Sequence, residues 1–136
     1  MVQVILGEKG TGKTKRLIDA VHVAEAEAAG SVVLINKDDR HLFDVTHRVR
    51  LVNTSEFEID SYSAFYGFIC GMVSQNYDIA HIFIDSIFKI ASDDLGQFEE
   101  FLAAIEPIAQ KFNIKIVITA SLNPSLAGAG ILKFEK

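Results

Sequence analysis

The sequence has few of the features that cross-link a protein, direct its export or anchor it in a membrane. It has a single cysteine, Cys70, so neither an intramolecular disulfide nor a cysteine-rich zinc site can form within the chain. It has no uninterrupted apolar run near the roughly 20 residues that a membrane-spanning helix needs. The apolar start at residues 2–6 is too short for a signal peptide and leads directly into a glycine-rich loop. We therefore expect a cytoplasmic protein without a membrane span.

The chain also lacks an excess of positive charge. Its 13 Lys and Arg residues are outnumbered by 18 Asp and Glu residues, giving a formal net charge of −5. Domains that bind nucleic acid are usually strongly basic, so the net charge does not support a nucleic-acid partner. A local basic patch stays open, because five basic side chains lie close together in the sequence: Arg40, His41, His47, Arg48 and Arg50.

The sequence does have enough apolar residues for one ordinary domain. At 136 residues and 49% hydrophobic content, it fits a single domain covering residues 1–136. Apolar blocks that predict buried strands alternate with segments whose apolar residues recur every three or four positions, as in helices. Strands are predicted at residues 2–6, 31–36, 48–53, 79–85 and 114–120, with an additional edge strand at 131–134. Helices are predicted at residues 13–29, 61–75 and 93–112, with Gly30 as the C-cap of the first.

This alternation of strands and helices predicts an α/β fold with three layers. Because the central strands are apolar throughout, we expect a mainly parallel central sheet of about five strands with helices on both faces. In such sheets, ligands bind beyond the carboxyl ends of the strands. The residues that directly follow each strand are therefore the candidates for function.

The strongest indication of function is a sequence motif that directly follows the first predicted strand. The residues GEKGTGKT match the pattern G-x-x-x-x-G-K-[ST] completely. Glycines let the backbone turn its N–H groups toward phosphate oxygens, and the next helix presents its positive N-terminal end to the same anion. Lys13 would reach the β- and γ-phosphates, and the Thr14 hydroxyl would bind Mg²⁺. The predicted nucleotide-binding residues are Gly7, Glu8, Lys9, Gly10, Thr11, Gly12, Lys13 and Thr14.

A magnesium site in such a protein also needs an acidic partner at the end of a neighbouring strand. The apolar residues 82–84 are followed by Asp85, which we predict to bind Mg²⁺ together with Thr14. Ser86 comes next, at the place where many hydrolysing P-loop ATPases carry a water-activating glutamate. The sequence thus contains a candidate metal ligand, Asp85, but no glutamate directly after it that could serve as a catalytic base.

The P-loop, together with an aspartate followed by serine, resembles the RecA-like class of P-loop ATPases over residues 2–121. In that class the water-activating glutamate ends the strand after the P-loop helix, which implies a catalytic role for Asp38 or Asp39 beside Lys13. The resemblance also implies a sensor of the γ-phosphate at the end of the last long strand, where Ser121 or Asn123 would act. That strand would lie between the P-loop strand and the strand of Asp85.

The resemblance implies a small cytoplasmic protein that binds ATP with Mg²⁺ and hydrolyses it slowly or only with a partner. Two alternatives stay open: a small-molecule kinase of the nucleoside type, and a nucleotide-gated binding module that does not hydrolyse ATP. ATP is favoured over GTP, because the only N-K-x-D pattern lies at residues 36–39, too early in the chain to read guanine. A homo-oligomer or an unknown protein partner is compatible with the sequence.

Overall fold

The computed structural model describes residues 1–27 and 29–136, and within these a single sheet of five strands forms the centre of the molecule. All neighbouring strands in the sheet are parallel, as predicted. The strands are β1 (Val2–Gly7), β2 (Ser31–Asn36), β3 (Val49–Asn53), β4 (Ile79–Ile84) and β5 (Lys115–Ser121). Their order across the sheet is β1-β5-β4-β2-β3, so β5 lies between the P-loop strand and the strand that precedes Asp85.

Two of the helices begin close to where the sequence predicts them, because their first turns are capped by side chains. Ser61 accepts a hydrogen bond from the backbone N–H of Ala64, and Asp94 accepts one from that of Gln97; such caps satisfy N–H groups that the helix itself leaves free. The helices are α1 (Lys13–Glu27), α2 (Tyr62–Gln75), α3 (Ile87–Ile90), α4 (Leu95–Lys111) and α5 (Ala129–Leu132). Among the described residues, none of these helices is long and apolar enough to cross a membrane.

The two faces of the sheet are covered by different helices. Leu17 and Val21 of α1 pack with Phe83 and other residues on one face, where they are fully or almost fully buried. On the opposite face, Phe65 of α2 and Phe98 of α4 belong to a larger apolar cluster that includes side chains of all five strands. The predicted architecture of a parallel sheet with helices on both faces is therefore confirmed.

Two local predictions were wrong. Residues 131–134 do not form an edge strand; residues up to Leu132 belong to α5, and Glu135 forms an isolated bridge to Val4. The short apolar stretch suits either structure, because Ile131 faces the core and Phe134 packs against it at helical spacing. Gly30 is not a left-handed C-cap, since only Gly10 and Gly12 among the glycines have positive φ. The predicted helix also included Ala28, which lies outside the described residues.

Gly30 is required for a different reason, which predicts a measurable effect. A Cβ atom at this position would collide with the carbonyl oxygen of Asp78, and that oxygen accepts a hydrogen bond from the Ser31 N–H at 2.7 Å. We expect Gly30→Ala to lower the free energy of unfolding by about 1–3 kcal/mol, because the backbone must shift. Urea denaturation measures this change.

The matched control for Gly30→Ala is Gly67→Ala in the exposed part of α2. A Cβ atom at Gly67 meets no other atom within 4 Å, and alanine is favoured over glycine inside helices by roughly 0.5–1 kcal/mol. The control should therefore become slightly more stable. Equal effects of the two substitutions would contradict the role assigned to the close approach of Asp78.

Candidate nucleotide-binding site

The segment from the end of β1 to the start of α1, residues 7–14, is a tight loop that contains two glycines in a left-handed conformation. Gly10 and Gly12 both adopt φ = +84°, a left-handed conformation that side-chain-bearing residues rarely adopt. A Cβ atom on Gly7 would lie 2.5 Å from the Thr11 hydroxyl, so this glycine allows the loop to close on itself. The glycine pattern of the sequence thus has a direct conformational cause in the loop.

The Lys13 side chain lies across this loop. Its ammonium group donates a hydrogen bond of 2.8 Å to the carbonyl oxygen of Glu8, which also accepts one of 2.7 Å from the Thr11 hydroxyl. Only 8% of Lys13 is exposed. Burial lowers the pKa of Lys13, and the negative charge of Asp85 partly offsets this effect. An anion that enters the loop would therefore meet the positively charged ammonium group of Lys13, which here donates a hydrogen bond to one carbonyl oxygen.

Asp85 occupies the position directly after β4 and is fully buried. Thr14, the second residue of α1, donates from its hydroxyl to both carboxylate oxygens, at 3.2 and 3.3 Å. Two residues separated by 71 positions in the sequence therefore meet at the carboxyl edge of the sheet, as the motif predicted. The backbone N–H of Asp85 donates to the carbonyl of Ile35, which joins the end of β4 to β2.

Thr119 of β5 is a partner of Asp85 that the sequence analysis did not select. Its buried hydroxyl donates to Asp85 Oδ1 at 2.7 Å and accepts a hydrogen bond from the Ser86 N–H, also at 2.7 Å. Ser86 adopts a left-handed conformation with φ = 59°, which turns the chain immediately after the carboxylate. Because the hydroxyl both donates and accepts, its orientation toward Asp85 is fixed.

His41 is the second partner that sequence reasoning missed. It lies in the segment between β2 and β3, and its Nε2 is 2.9 Å from Asp85 Oδ2 while its Nδ1 is 2.9 Å from Asp44 Oδ2. Only 4% of His41 is exposed, so it does not belong to the surface basic patch that the sequence left open. The sequence contains no signal for this contact, because the two residues are 44 positions apart and belong to no common motif.

These contacts set the charges in the site. Burial by itself raises the pKa of Asp85, but the hydrogen bonds from His41, Thr119 and Thr14 outweigh it, so the pKa lies below the ordinary value of 3.8. The hydrogen bond to Asp85 raises the pKa of His41 above 6.5, burial opposes this, and the hydrogen bond to Asp44 adds to it. The site thus holds an ionised carboxylate whose hydrogen bonds compensate its burial.

The oxygen atoms of Thr14 and Asp85 suit Mg²⁺ that is also bound by phosphate. This ion prefers oxygen ligands and commonly takes only one or two carboxylates beside substrate phosphates and water. The described residues contain no group of three or more His, Cys, Asp or Glu side chains arranged around one metal position. One carboxylate and one hydroxyl therefore fit a metal that enters together with a nucleotide, rather than a metal bound by the protein alone.

Asp38 and Asp39 follow β2 at the same edge of the sheet. Arg40 binds Asp38 through two side-chain contacts of 3.1 Å, and Asp39 accepts a long hydrogen bond of 3.3 Å from Asn53. Hydrogen bonds from Arg40 are the main reason why the pKa of Asp38 is lowered. A carboxylate with a lowered pKa is a weaker general base. The catalytic role of these two residues stays a prediction.

The end of β5 and the residues directly after it reach the loop between β1 and α1. Ser121 is exposed and lies opposite Gly7 in the sheet register. Asn123 donates a hydrogen bond of 3.1 Å to the Glu8 carboxylate. The sensing role of Ser121 or Asn123 stays a prediction, while Thr119 is the residue of this strand that touches Asp85.

The raised pKa of His41 predicts how stability changes with pH. A group with a raised pKa in the folded state stabilises the fold fully below its unfolded pKa of 6.5, and this contribution is lost as the pH rises through the folded value. We expect the unfolding free energy of the wild type minus that of His41→Gln to fall as the pH rises above 6.5. Urea denaturation across this range measures the difference.

Subtracting the variant removes contributions from other groups that titrate in the same range. Met1 and His81 have lowered pKa values because of burial, so each gives a pH dependence of the opposite sign. Both groups are present in the wild type and in His41→Gln, and their effects cancel in the difference. A difference that stays constant with pH would contradict an imidazolium between Asp44 and Asp85.

Comparison with known proteins supports the fold and leaves the family open. No family model matches the sequence, and no curated protein matches it either. Among solved structures, the chain is similar to the flagellar accessory protein FlaH from Methanocaldococcus jannaschii, with a TM-score of 0.53 and 14% sequence identity. The match covers 97% of this chain and 65% of FlaH, so the chain spans less than two thirds of the length of that protein. This likeness supports the fold, a parallel sheet with helices on both faces.

Proposed function

We propose that the protein binds ATP together with Mg²⁺ and hydrolyses it slowly or only when a partner completes the site. The observation that carries this proposal is the meeting of the phosphate loop with Asp85, in which Thr14 contacts the carboxylate at 3.2 and 3.3 Å. The strand order agrees with it, because β5 separates the P-loop strand from the strand of Asp85, as in the RecA-like class. The likeness to FlaH extends only to the fold.

The glycines, the lysine and the last threonine of the loop each have a task in this proposal. The backbone N–H groups around Gly10 and Gly12 and the N-terminus of α1 would bind the phosphates. Lys13 would exchange the Glu8 carbonyl for phosphate oxygens, and Thr14 and Asp85 would hold the metal. Bound Mg²⁺ would neutralise charge on the phosphates. Phosphoryl transfer depends mainly on such positioning and charge neutralisation.

Slow or partner-dependent turnover follows from what surrounds Asp85. The residue after it is Ser86, whose N–H is bound to Thr119, and not a glutamate. Asp38, one of the two acidic candidates, is held by Arg40 and has a lowered pKa. Hydrolysis needs a base or an orienting group for the attacking water. A partner that releases Asp38 from Arg40, or that contributes its own group, would supply this function.

A nucleotide-gated binding module is the second candidate, and one observation favours it. Leu42 and Phe43 are 54% and 94% exposed, yet they directly follow His41, which contacts Asp85. Large apolar side chains that are exposed at one place often mark a surface for a partner. A nucleotide that alters the contacts of Asp85 would in this case alter the presentation of these two side chains.

Calorimetry with ATP, followed by phosphate release in the same samples, separates these functions. We expect saturable binding that is tighter with Mg²⁺ than with EDTA. Phosphate release would identify an ATPase, whereas binding without release would favour the gated module. Absence of binding with and without Mg²⁺, at both low and high protein concentration, would refute the proposed function.

A further inference from the structure

His41 stands out from the segment around it. The next two residues along the chain are exposed, whereas His41 is buried and both of its ring nitrogens are hydrogen-bonded. A buried polar ring is costly unless its partners are in place. This segment is also fixed from outside the site, since His22 of α1 contacts the Asp44 carbonyl at 2.7 Å and Glu25 accepts from the Thr46 N–H at 2.9 Å.

The hydrogen-bond partners of His41 determine which of its ring nitrogens carry a hydrogen. Asp44 Oδ2 and Asp85 Oδ2 are carboxylate oxygens, which accept hydrogen bonds when ionised. Both contacts are made when each ring nitrogen carries a hydrogen. Asp44 therefore sets the orientation of the ring, and the ring in turn donates to Asp85.

The hydrogen bonds to Asp85 leave one edge of its carboxylate for a metal. Thr119 donates to Oδ1 at 2.7 Å, and His41 donates to Oδ2 at 2.9 Å. Each carboxylate oxygen can accept two hydrogen bonds, so each keeps one further position. Thr14 makes longer contacts to both oxygens, at 3.2 and 3.3 Å. The remaining positions thus face Thr14, the other residue assigned to Mg²⁺.

We propose that His41, oriented by Asp44, is a positioning residue that holds the Asp85 carboxylate with its open edge toward Thr14, so that Mg²⁺ binds there together with the nucleotide. This proposal rests on the proposed function, because it concerns the same metal. It assigns the segment between β2 and β3 a role in metal binding that no motif in the sequence indicates. Hydrogen-bonding partners behind a metal ligand commonly change metal affinity by roughly 10- to 100-fold.

The test is the ratio of the Kd of ATP in EDTA to its Kd in excess Mg²⁺, measured by calorimetry on the full chain. This ratio reports the contribution of the metal and does not depend on turnover. We expect His41→Ala to lower the ratio about 10-fold, while the Kd in EDTA changes by less than about 2-fold. His41→Gln, which keeps a side-chain N–H donor, should restore most of the ratio. His47→Ala, in the same segment but exposed, should match the wild type.

Three results would overturn the proposal. Equal losses in EDTA and in Mg²⁺ would indicate that His41 supports only the fold. Unchanged Kd values in both EDTA and Mg²⁺ would show that His41 has no role toward the metal. A ratio that rises in both His41 variants would show that the charged ring of His41 weakens Mg²⁺ binding by repulsion. This repulsion would then exceed the gain in Mg²⁺ binding from its hydrogen bond to Asp85.

A second measurement tests the contact without nucleotide and separates this proposal from the proposed function. The melting temperatures of His41→Ala, Asp85→Ala and the double variant form a double-mutant cycle, because each single substitution removes the contact completely. Effects that are clearly not additive would support the contact between His41 and Asp85, and additive effects would refute it. A wild-type protein that fails to bind ATP refutes the proposed function, whereas a wild type with a large ratio and an insensitive His41→Ala variant refutes only the role of His41.

Discussion

Replacing Lys13 by alanine should reduce the affinity for ATP by about 100-fold or more and leave the fold intact. Hydrogen bonds that involve a charged group contribute roughly 1.5–3 kcal/mol each, and each 1.4 kcal/mol corresponds to about tenfold in affinity. Two such bonds to phosphate oxygens account for the expected loss. Calorimetry in excess Mg²⁺ measures it.

The folded state should tolerate this substitution because Lys13 contributes little to stability. The residue as a whole is buried, and its ammonium group donates only to the Glu8 carbonyl among the described side-chain contacts. Burial lowers the pKa of Lys13, the direction expected when burial disfavours the charged form. We expect the free energy of unfolding of Lys13→Ala to stay within about 1 kcal/mol of the wild type.

Lys15→Ala is the matched control for Lys13→Ala. Lys15 is two residues further along α1, and its exposed ammonium group pairs with Asp19 at 3.0 Å. Loss of a single positive charge on the same helix should leave ATP binding close to that of the wild type, because this side chain points into solvent. If both variants lose affinity equally, general electrostatic attraction would explain the binding and the assigned role of Lys13 would be wrong.

Replacing Asp85 by alanine should have the largest effect on stability. The carboxylate is fully buried and accepts hydrogen bonds from Thr14, Thr119 and His41. Alanine leaves these donors without their common acceptor, and removal of one partner from a buried charged pair typically costs about 3–5 kcal/mol. Urea denaturation at pH 6, where His41 is protonated in the folded state, measures the change. The enhancement of ATP binding by Mg²⁺ should disappear in the same variant.

Asp38→Ala provides the comparison for the stability of Asp85→Ala. Asp38 is also an aspartate that follows a strand and pairs with a cation, but its carboxylate and Arg40 are both about half exposed. Exposed ion pairs contribute roughly 0–1 kcal/mol. A cost for Asp85→Ala no larger than that for Asp38→Ala would show that the buried hydrogen bonds do not stabilise the fold as described.

The sequence predicted the elements of this site that depend on local order. The phosphate loop is one continuous segment with strict conformational requirements at Gly10 and Gly12. Asp85 follows a block of apolar residues that reads as a strand, and parallel strands bring their carboxyl ends to one edge. The five strands were predictable for the same reason, since each is a short apolar block between helices or turns.

The remaining contacts of the site depend on the register of the strands and on the paths of the connecting segments. No local sequence pattern predicts either of these. Thr119 and Ser121 belong to the same strand end, but the register places Ser121 opposite Gly7 and leaves Thr119 beside Asp85. His41 reaches Asp85 because its segment folds back over the carboxyl ends of the strands. From the sequence it is one of several basic residues near acidic ones. Gly30 was assigned to a helix end because the atom that it avoids belongs to Asp78, far along the chain.

The position of β1 in the sheet also determines when the phosphate site can form as the chain folds. β1 lies at an edge and pairs with β5, so that Val2 is aligned with Ile116. Contacts between such distant segments form slowly, because a long loop must close before they are made. β2, β3 and β4 pair with one another, whereas β1, the strand before Lys13 and Thr14, pairs only with β5, the last strand along the chain. A nucleotide bound as proposed would therefore stabilise the finished sheet rather than the early steps of its assembly.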